Sequence, residues 1–149
     1  MLTGIGVETI GGILVVVLGG KMTPLSCYMS LQTTSGGGVE LVEPVGSLGC
    51  QYDMENLRIF VEHQSSPNDK GDNPGFNHAG IKYLVPVDPV TFYGGVSLAL
   101  NSEFNNMGTV LGIIGVETNH PEVKFFAEHI QSVSNFDESS TMVGIKFMF

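Results

Sequence analysis

The chain contains one strand-loop-strand segment twice. Phe60-Val61-Glu62-His63, two polar residues, Ser66 and later Gly80-Ile81-Lys82-Tyr83 recur as Phe126-Ala127-Glu128-His129, Ser132 and Gly144-Ile145-Lys146-Phe147. The offset is constant apart from a short gap inside the connecting loop, so the unit as a whole is repeated, over 57–83 and 123–149. A shorter echo relates Ile5-Gly6-Val7-Glu8-Thr9 to Ile114-Gly115-Val116-Glu117-Thr118, and on that alignment Ile13–Leu18 corresponds to the strand at Val123–His129. A hairpin cannot bury its apolar face alone and needs copies beside it. Duplication therefore points to one closed or stacked β architecture.

Within each copy the side-chain period is two. Leu57, Ile59, Val61 and His63 share one face, with Arg58, Phe60, Glu62 and Gln64 opposite. Val123, Phe125, Ala127 and His129 repeat the first set, and Lys124, Phe126, Glu128 and Ile130 the second. The last strand places Val143, Ile145, Phe147 and Phe149 on one side and Met142, Gly144, Lys146 and Met148 on the other. Further strands are predicted over 4–9, 13–18, 26–33, 39–42, 47–52, 78–85, 91–100 and 110–118, separated by Gly, Pro, Asn and Asp clusters. The predicted class is all-β, an antiparallel barrel or two-sheet sandwich of about 8–10 short strands in one domain, 1–149.

Charge and cysteine usage narrow the function. Six Lys and Arg against fifteen Asp and Glu give a net charge of −9, which repels phosphate backbones and disfavours nucleic acid as a partner. Charged residues are only 14% of the chain, against about 25% for an ordinary soluble domain, so part of the surface is expected to meet another protein or a bilayer. Cys27 and Cys50 have no further Cys or His at ligand spacing, and two buried thiols are expected rather than a disulfide or a metal site. The run Ile13–Leu18 is too short for a membrane-spanning helix and has no basic residue upstream; it reads as a strand buried on both faces, not as a secretory signal.

Few residues invite chemistry. His63 and Ser65 share a strand face, the minimum for activating a serine, but the second copy has Gln131 at the position of Ser65. Paired His63 and His129 are expected to hold their hairpins by hydrogen bonds. Cross-strand ion pairs are expected between Glu62 and Lys82 and between Glu128 and Lys146, as register-setting contacts. The loop Asn68-Asp69-Lys70-Gly71-Asp72-Asn73 lacks the terminal bidentate Glu of a calcium loop and reads as a solvated turn. No cofactor or metal is expected.

The segment Leu57–Tyr83, with Glu-His-Gln-Ser-Ser, a Pro/Asn/Asp loop and Gly-Phe-Asn-His-Ala-Gly-Ile-Lys-Tyr, resembles small β-rich proteins encoded by tailed bacteriophages. It is also distantly similar to outer-membrane lipid A deacylases, whose His-x-Ser motif would fall on His63 and Ser65. The ending Val143-Gly144-Ile145-Lys146-Phe147-Met148-Phe149 resembles the C-terminal signature of outer-membrane barrels. The phage resemblance implies a non-enzymatic virion subunit, a cement, decoration or tail-associated protein, packing as a homo-oligomer against itself and other capsid or tail proteins. It requires no export signal, and it is the expectation taken forward. The alternative is an outer-membrane barrel, with or without a hydrolase activity at His63 and Ser65. The two differ in which face turns out: a membrane barrel sends Phe125, Val143, Ile145 and Phe147 outward and keeps Lys and Glu inside.

Overall fold

The computed structural model describes residues 6–10, 13–18, 21–36, 44–64, 76–100, 109–134, 136 and 139–149; side chains before residue 25 and those of 34–36, 44, 45 and 76 lie outside the description. Ten strands follow in order: β1 (Gly6–Ile10), β2 (Ile13–Leu18), β3 (Lys21–Gly36), β4 (Pro44–Met54), β5 (Leu57–Gln64), β6 (Phe76–Val87), β7 (Val90–Ala99), β8 (Val110–Thr118), β9 (Val123–Ser132) and β10 (Ser139–Met148). Each strand from β3 to β9 pairs antiparallel with the next, and β10 returns to β3, with Ile145 opposite Leu31. The result is a closed eight-stranded barrel, to which the β1–β2 hairpin is joined through β2 and the start of β3. Of the two architectures open in the sequence, the barrel is the one adopted. Closure leaves its eight strands no free edge.

One end of the barrel has tight connections and the other long ones. Glu55–Asn56, Asp88–Pro89 and residues 119–122 turn the chain at the first end, whereas 37–43, 65–75, 100–109 and 133–138 connect strands at the second. Glu55 adopts a positive φ of 50° in its turn, the left-handed conformation that two-residue hairpin loops require. At the same end Cys27 and Phe149 exchange backbone hydrogen bonds of 3.0 and 2.9 Å, extending the seam where the ring closes. The sequence-predicted strand at 39–42, the loop 68–73 and Ser65 lie outside the described residues.

The alternation read from the sequence is present on the strands, with its sides assigned by closure. Arg58, Phe60 and Glu62 are buried in the lumen, as are Lys82, Phe126, Glu128, Met142 and Lys146. Phe125 (58% exposed), Val143 (57%), Phe147 (41%) and Phe149 (56%) face out, together with Leu31, Ile114, Ile81 and Tyr83. No Asp, Glu, Lys or Arg occurs among the described outward-facing strand residues. Those aromatic and branched residues, which the expectation of a soluble virion subunit would bury, form the outside of the barrel. The expectation for Cys27 and Cys50 is corrected. They are directly opposite each other on β3 and β4 and form a disulfide, not a pair of thiols. The short echo of residues 5–9 misassigned the repeat as well, because β8 corresponds to β4 rather than to β1.

Two lumen glycines stand where a neighbouring strand's backbone comes close. Phe60 lies opposite Gly80 and, in the second copy, Phe126 opposite Gly144. A Cβ at Gly80 would stand 2.6 Å from Ser97 Cα and against the Val96 carbonyl, and one at Gly144 2.8 Å from Gln32 Cα and against the Leu31 carbonyl. Gly80→Ala and Gly144→Ala are each expected to destabilise the barrel by about 1–3 kcal/mol, as overpacking does, read as a lower urea midpoint. Gly94→Ala, whose new Cβ would be 3.8 Å from its nearest neighbour, should change that midpoint by less than about 0.5 kcal/mol equivalent.

Candidate functional site

The chemistry of the described residues is concentrated in the lumen, arranged twice about the barrel axis. Tyr28 on β3 lies opposite Gly49 on β4, which lies opposite Glu62 on β5. Tyr93, Gly115 and Glu128 repeat that row on β7, β8 and β9. Gly49 and Gly115 leave the space that the tyrosine rings occupy, since a Cβ at either would be 2.5 Å from ring carbons. The Tyr28 hydroxyl donates to Glu62 Oε2. The Tyr93 hydroxyl lies beside Glu128 but completes no hydrogen bond.

Two lysines occupy equivalent aromatic sandwiches. Lys82 Nζ is 4.5 Å from the Phe60 ring centroid and 4.7 Å from that of Tyr93. Lys146 Nζ is 4.4 Å from Tyr28 and 5.0 Å from Phe126. Each ammonium thus sits between a Phe of its own repeat and the Tyr of the strand that follows it around the ring, where the ring faces offer partial negative charge. The carboxylates complete the neutralisation. Lys82 Nζ reaches Glu128 Oε2 at 2.5 Å, Lys124 reaches Glu117 at 2.7 Å, and Lys146 stands 3.8 Å from Glu117 Oε2. Arg58 bridges Asp53 through two hydrogen bonds of 2.7 and 2.9 Å and contacts Glu117 at 3.0 Å.

The sequence-derived pairs are therefore placed in one cluster with exchanged partners. In register, Glu62 faces His78 and Glu128 faces Met142, whereas Lys82 faces Arg58 and Lys146 faces Lys124. Two turns of the pleat separate each Glu from its expected Lys, and Lys82 instead bonds the Glu of the other copy. His63 Nδ1 is 2.7 Å from Asn77 Oδ1, and His129 Nδ1 2.9 Å from Thr141 Oγ1, both directly across from their partners on the outer wall.

Sequence reasoning missed His78, Ser97, Arg58, Glu117 and both tyrosines. The signal was available for some: Tyr28 and Tyr93, Gly49 and Gly115, and Gln51 and Glu117 lie within one residue of the offset that relates Glu62 to Glu128. His78 has no such echo, because Met142 occupies its place in the second copy. Its Nδ1 is 3.1 Å from Ser97 Oγ and its Nε2 3.4 Å from Glu62 Oε1, an order of groups shared with serine hydrolases. Here the imidazole is fully buried and Ser97 is 2% exposed, so no substrate carbonyl reaches the hydroxyl. The row acts as a hydrogen-bonded strut. Among the described residues no cluster of His, Cys, Asp or Glu could hold a metal ion.

No protein-family model and no curated protein matches the chain. Among solved structures it is similar to Neisserial surface protein A (15% identity, covering 83% of this chain and 94% of that one, TM-score 0.47). It is also similar to Ail, the attachment invasion locus protein of Yersinia pestis (13% identity, 84% and 96%, TM-score 0.42), and to a loop-deletion mutant of OmpT, an outer membrane protein of Vibrio cholerae (14%, 97% and 44%, TM-score 0.32). Likeness at this level carries no information about activity.

The ion pairs make a sharp expectation. Removing one member of a buried pair leaves a charge uncompensated, at a cost of about 3–5 kcal/mol, whereas replacing both by apolar groups is near neutral. Lys82→Met and Glu128→Met should each lower the urea midpoint strongly, and the double variant should recover most of the loss. Additive losses in that double-mutant cycle would show that the two side chains do not interact.

Proposed function

We propose that the chain is a transmembrane β-barrel of the bacterial outer membrane, plugged by its own side chains, which anchors its longer inter-strand segments at one membrane face. The observation that carries this reading is the inversion of the wall: among the described strand residues, an exterior without Asp, Glu, Lys or Arg around a lumen holding Arg58, Lys82, Lys146, Glu62, Glu117 and Glu128. In hydrocarbon every backbone polar group must be paired internally, which a closed barrel achieves. Outward-facing Tyr52, Tyr83, Phe92, Phe125 and Phe147 lie toward the tight-turn end, as an interfacial aromatic girdle would. Tight turns at one end and longer connections at the other follow the same pattern. The Cys27–Cys50 disulfide fits an oxidising compartment outside the cytoplasm.

The lumen argues for an anchor rather than a channel. An eight-stranded barrel is just wide enough for its side chains to fill, and Tyr28, His78, Met142 and Glu117 are each no more than 2% exposed within it. A hydrolase site at His63 would need Ser65 beside it, and Ser65 lies outside the described residues.

The sequence contains no tryptophan, so a single introduced indole reports its own surroundings. Ile81→Trp, refolded into vesicles, should lose most of its fluorescence to lipids brominated on their acyl chains. Fluorescence unaffected by those lipids would overturn the membrane reading. In planar bilayers the wild-type barrel should show no steady single-channel conductance, and a regular open level would contradict the plugged lumen.

A further inference from the structure

The barrel has two equivalent seams, one built with a turn and one without. In the duplication the β6–β7 pairing corresponds to the pairing of β10 with β3. Val85 is opposite Phe92, and at the matching place Phe149 and Cys27 exchange backbone hydrogen bonds of 3.0 and 2.9 Å. Val85 and Phe92 lie close to the turn at Asp88–Pro89, which joins their strands covalently. By contrast β3 is entered from β2, so no turn can join it to β10. The β1–β2 hairpin does not replace one. Leu25 pairs with Tyr52 on one edge and Leu14 on the other, so β2 takes over the edge that β10 has left and holds β3 to itself, not to the ring.

Only the first copy carries a covalent bond at this rung. Cys27 is opposite Cys50, whereas the equivalent pair on β7 and β8 is Phe92 opposite Val116. The disulfide therefore occurs on the strand whose end lacks a turn, and at the residue that makes the last hydrogen bonds of the seam. Strand ends fray because few neighbours back their final hydrogen bonds. A cross-link from Cys27 to β4 removes the sideways freedom that separation from Phe149 requires. Phe149, Leu48 and Val61 line the same hollow of the outer wall as the two cysteines. Both cysteines are half-buried there, within reach of a small reductant.

We propose that the Cys27–Cys50 disulfide is a redox-sensitive latch on the closing seam. Oxidised, it holds β3 against β10 at the tight-turn end; reduced, it lets that end of the seam fray. The step is a thiol–disulfide exchange, in which a dithiol gives two electrons and two protons, leaves two cysteine thiols and becomes a disulfide itself. The latch depends on ring closure and not on the membrane reading above.

The test is amide hydrogen exchange of the full chain, folded in detergent micelles with the disulfide intact and then reduced with dithiothreitol. Exchange at Cys27 and Phe149 should accelerate about tenfold or more on reduction, while amides around Val85 and Phe92, held by their turn, change less than about twofold. Cys27→Val with Cys50→Val should reproduce the reduced pattern without reductant. Phe92→Cys with Val116→Cys, once oxidised, should slow exchange around Val85 by less than about twofold, because the turn already secures that seam. A heat-modifiable gel shift shows that the barrel is still folded after reduction. Acceleration by the same factor at both seams would mean that the bond acts only through the unfolded chain, and overturns the latch. Unchanged exchange at Cys27 and Phe149, or a second disulfide that tightens the β6–β7 seam tenfold, overturns it as well. Should the double valine variant fail to fold, reduction of the folded wild-type barrel decides alone.

Discussion

The two-residue period of an extended strand governs this molecule. Once β10 closes on β3, alternate side chains have only two destinations, a narrow interior and an outer wall. The chain sends its charges to the interior, which has no bulk water to solvate them, so they must neutralise one another. Lys82 and Lys146 illustrate how tightly the terms are coupled: each needs a carboxylate within reach, two aromatic faces beside it, and a glycine, Gly115 or Gly49, that leaves room for the tyrosine ring. Removing any of the three leaves the others strained or unpaired.

The duplication supplies these parts in matched sets and then departs from symmetry at informative places. Gln51 and Glu117 are equivalent, as are Arg58 and Lys124, yet Arg58 bonds Asp53 in its own repeat and Glu117 in the other. That crossing contact ties the halves together through the lumen, as does Lys82 with Glu128. His78 replaces the methionine of the second copy, and with Ser97 it forms a polar row where the other side has Gln32 near the Met142 sulfur, 3.2 Å away. The asymmetry occurs toward both ends of the lumen, around Arg58 and Glu117 near the tight turns and around His78 toward the longer connections, with the matched Tyr-Gly-Glu rows between them.

Strand number, parity and the repeat were legible in the sequence because each is a local, periodic property. Which parity faced inward was not, since alternation is the same for a soluble barrel and an inverted one; the low share of charged residues and the closing Phe147 and Phe149 were the signals that favoured inversion. The ion pairs were misread for a geometric reason. Glu62 and Lys82 lie on adjacent strands, but antiparallel register puts His78 rather than Lys82 opposite Glu62, and contacts across a lumen have no sequence period at all. The disulfide was hidden likewise, because Cys27 and Cys50 become neighbours only when the β3–β4 register is known.

Seven of the eight seams in the ring join strands that follow one another in the chain, and one joins β3 to β10. Hairpins between consecutive strands need only short loops to close, whereas the last seam brings together residues as far apart as Tyr28 and Met148. The entropic cost of that closure grows only logarithmically with separation, so the longest-range seam costs little more than its neighbours. Opening it would leave β3 and β10 as two unpaired edges, at the strand that carries the final phenylalanines.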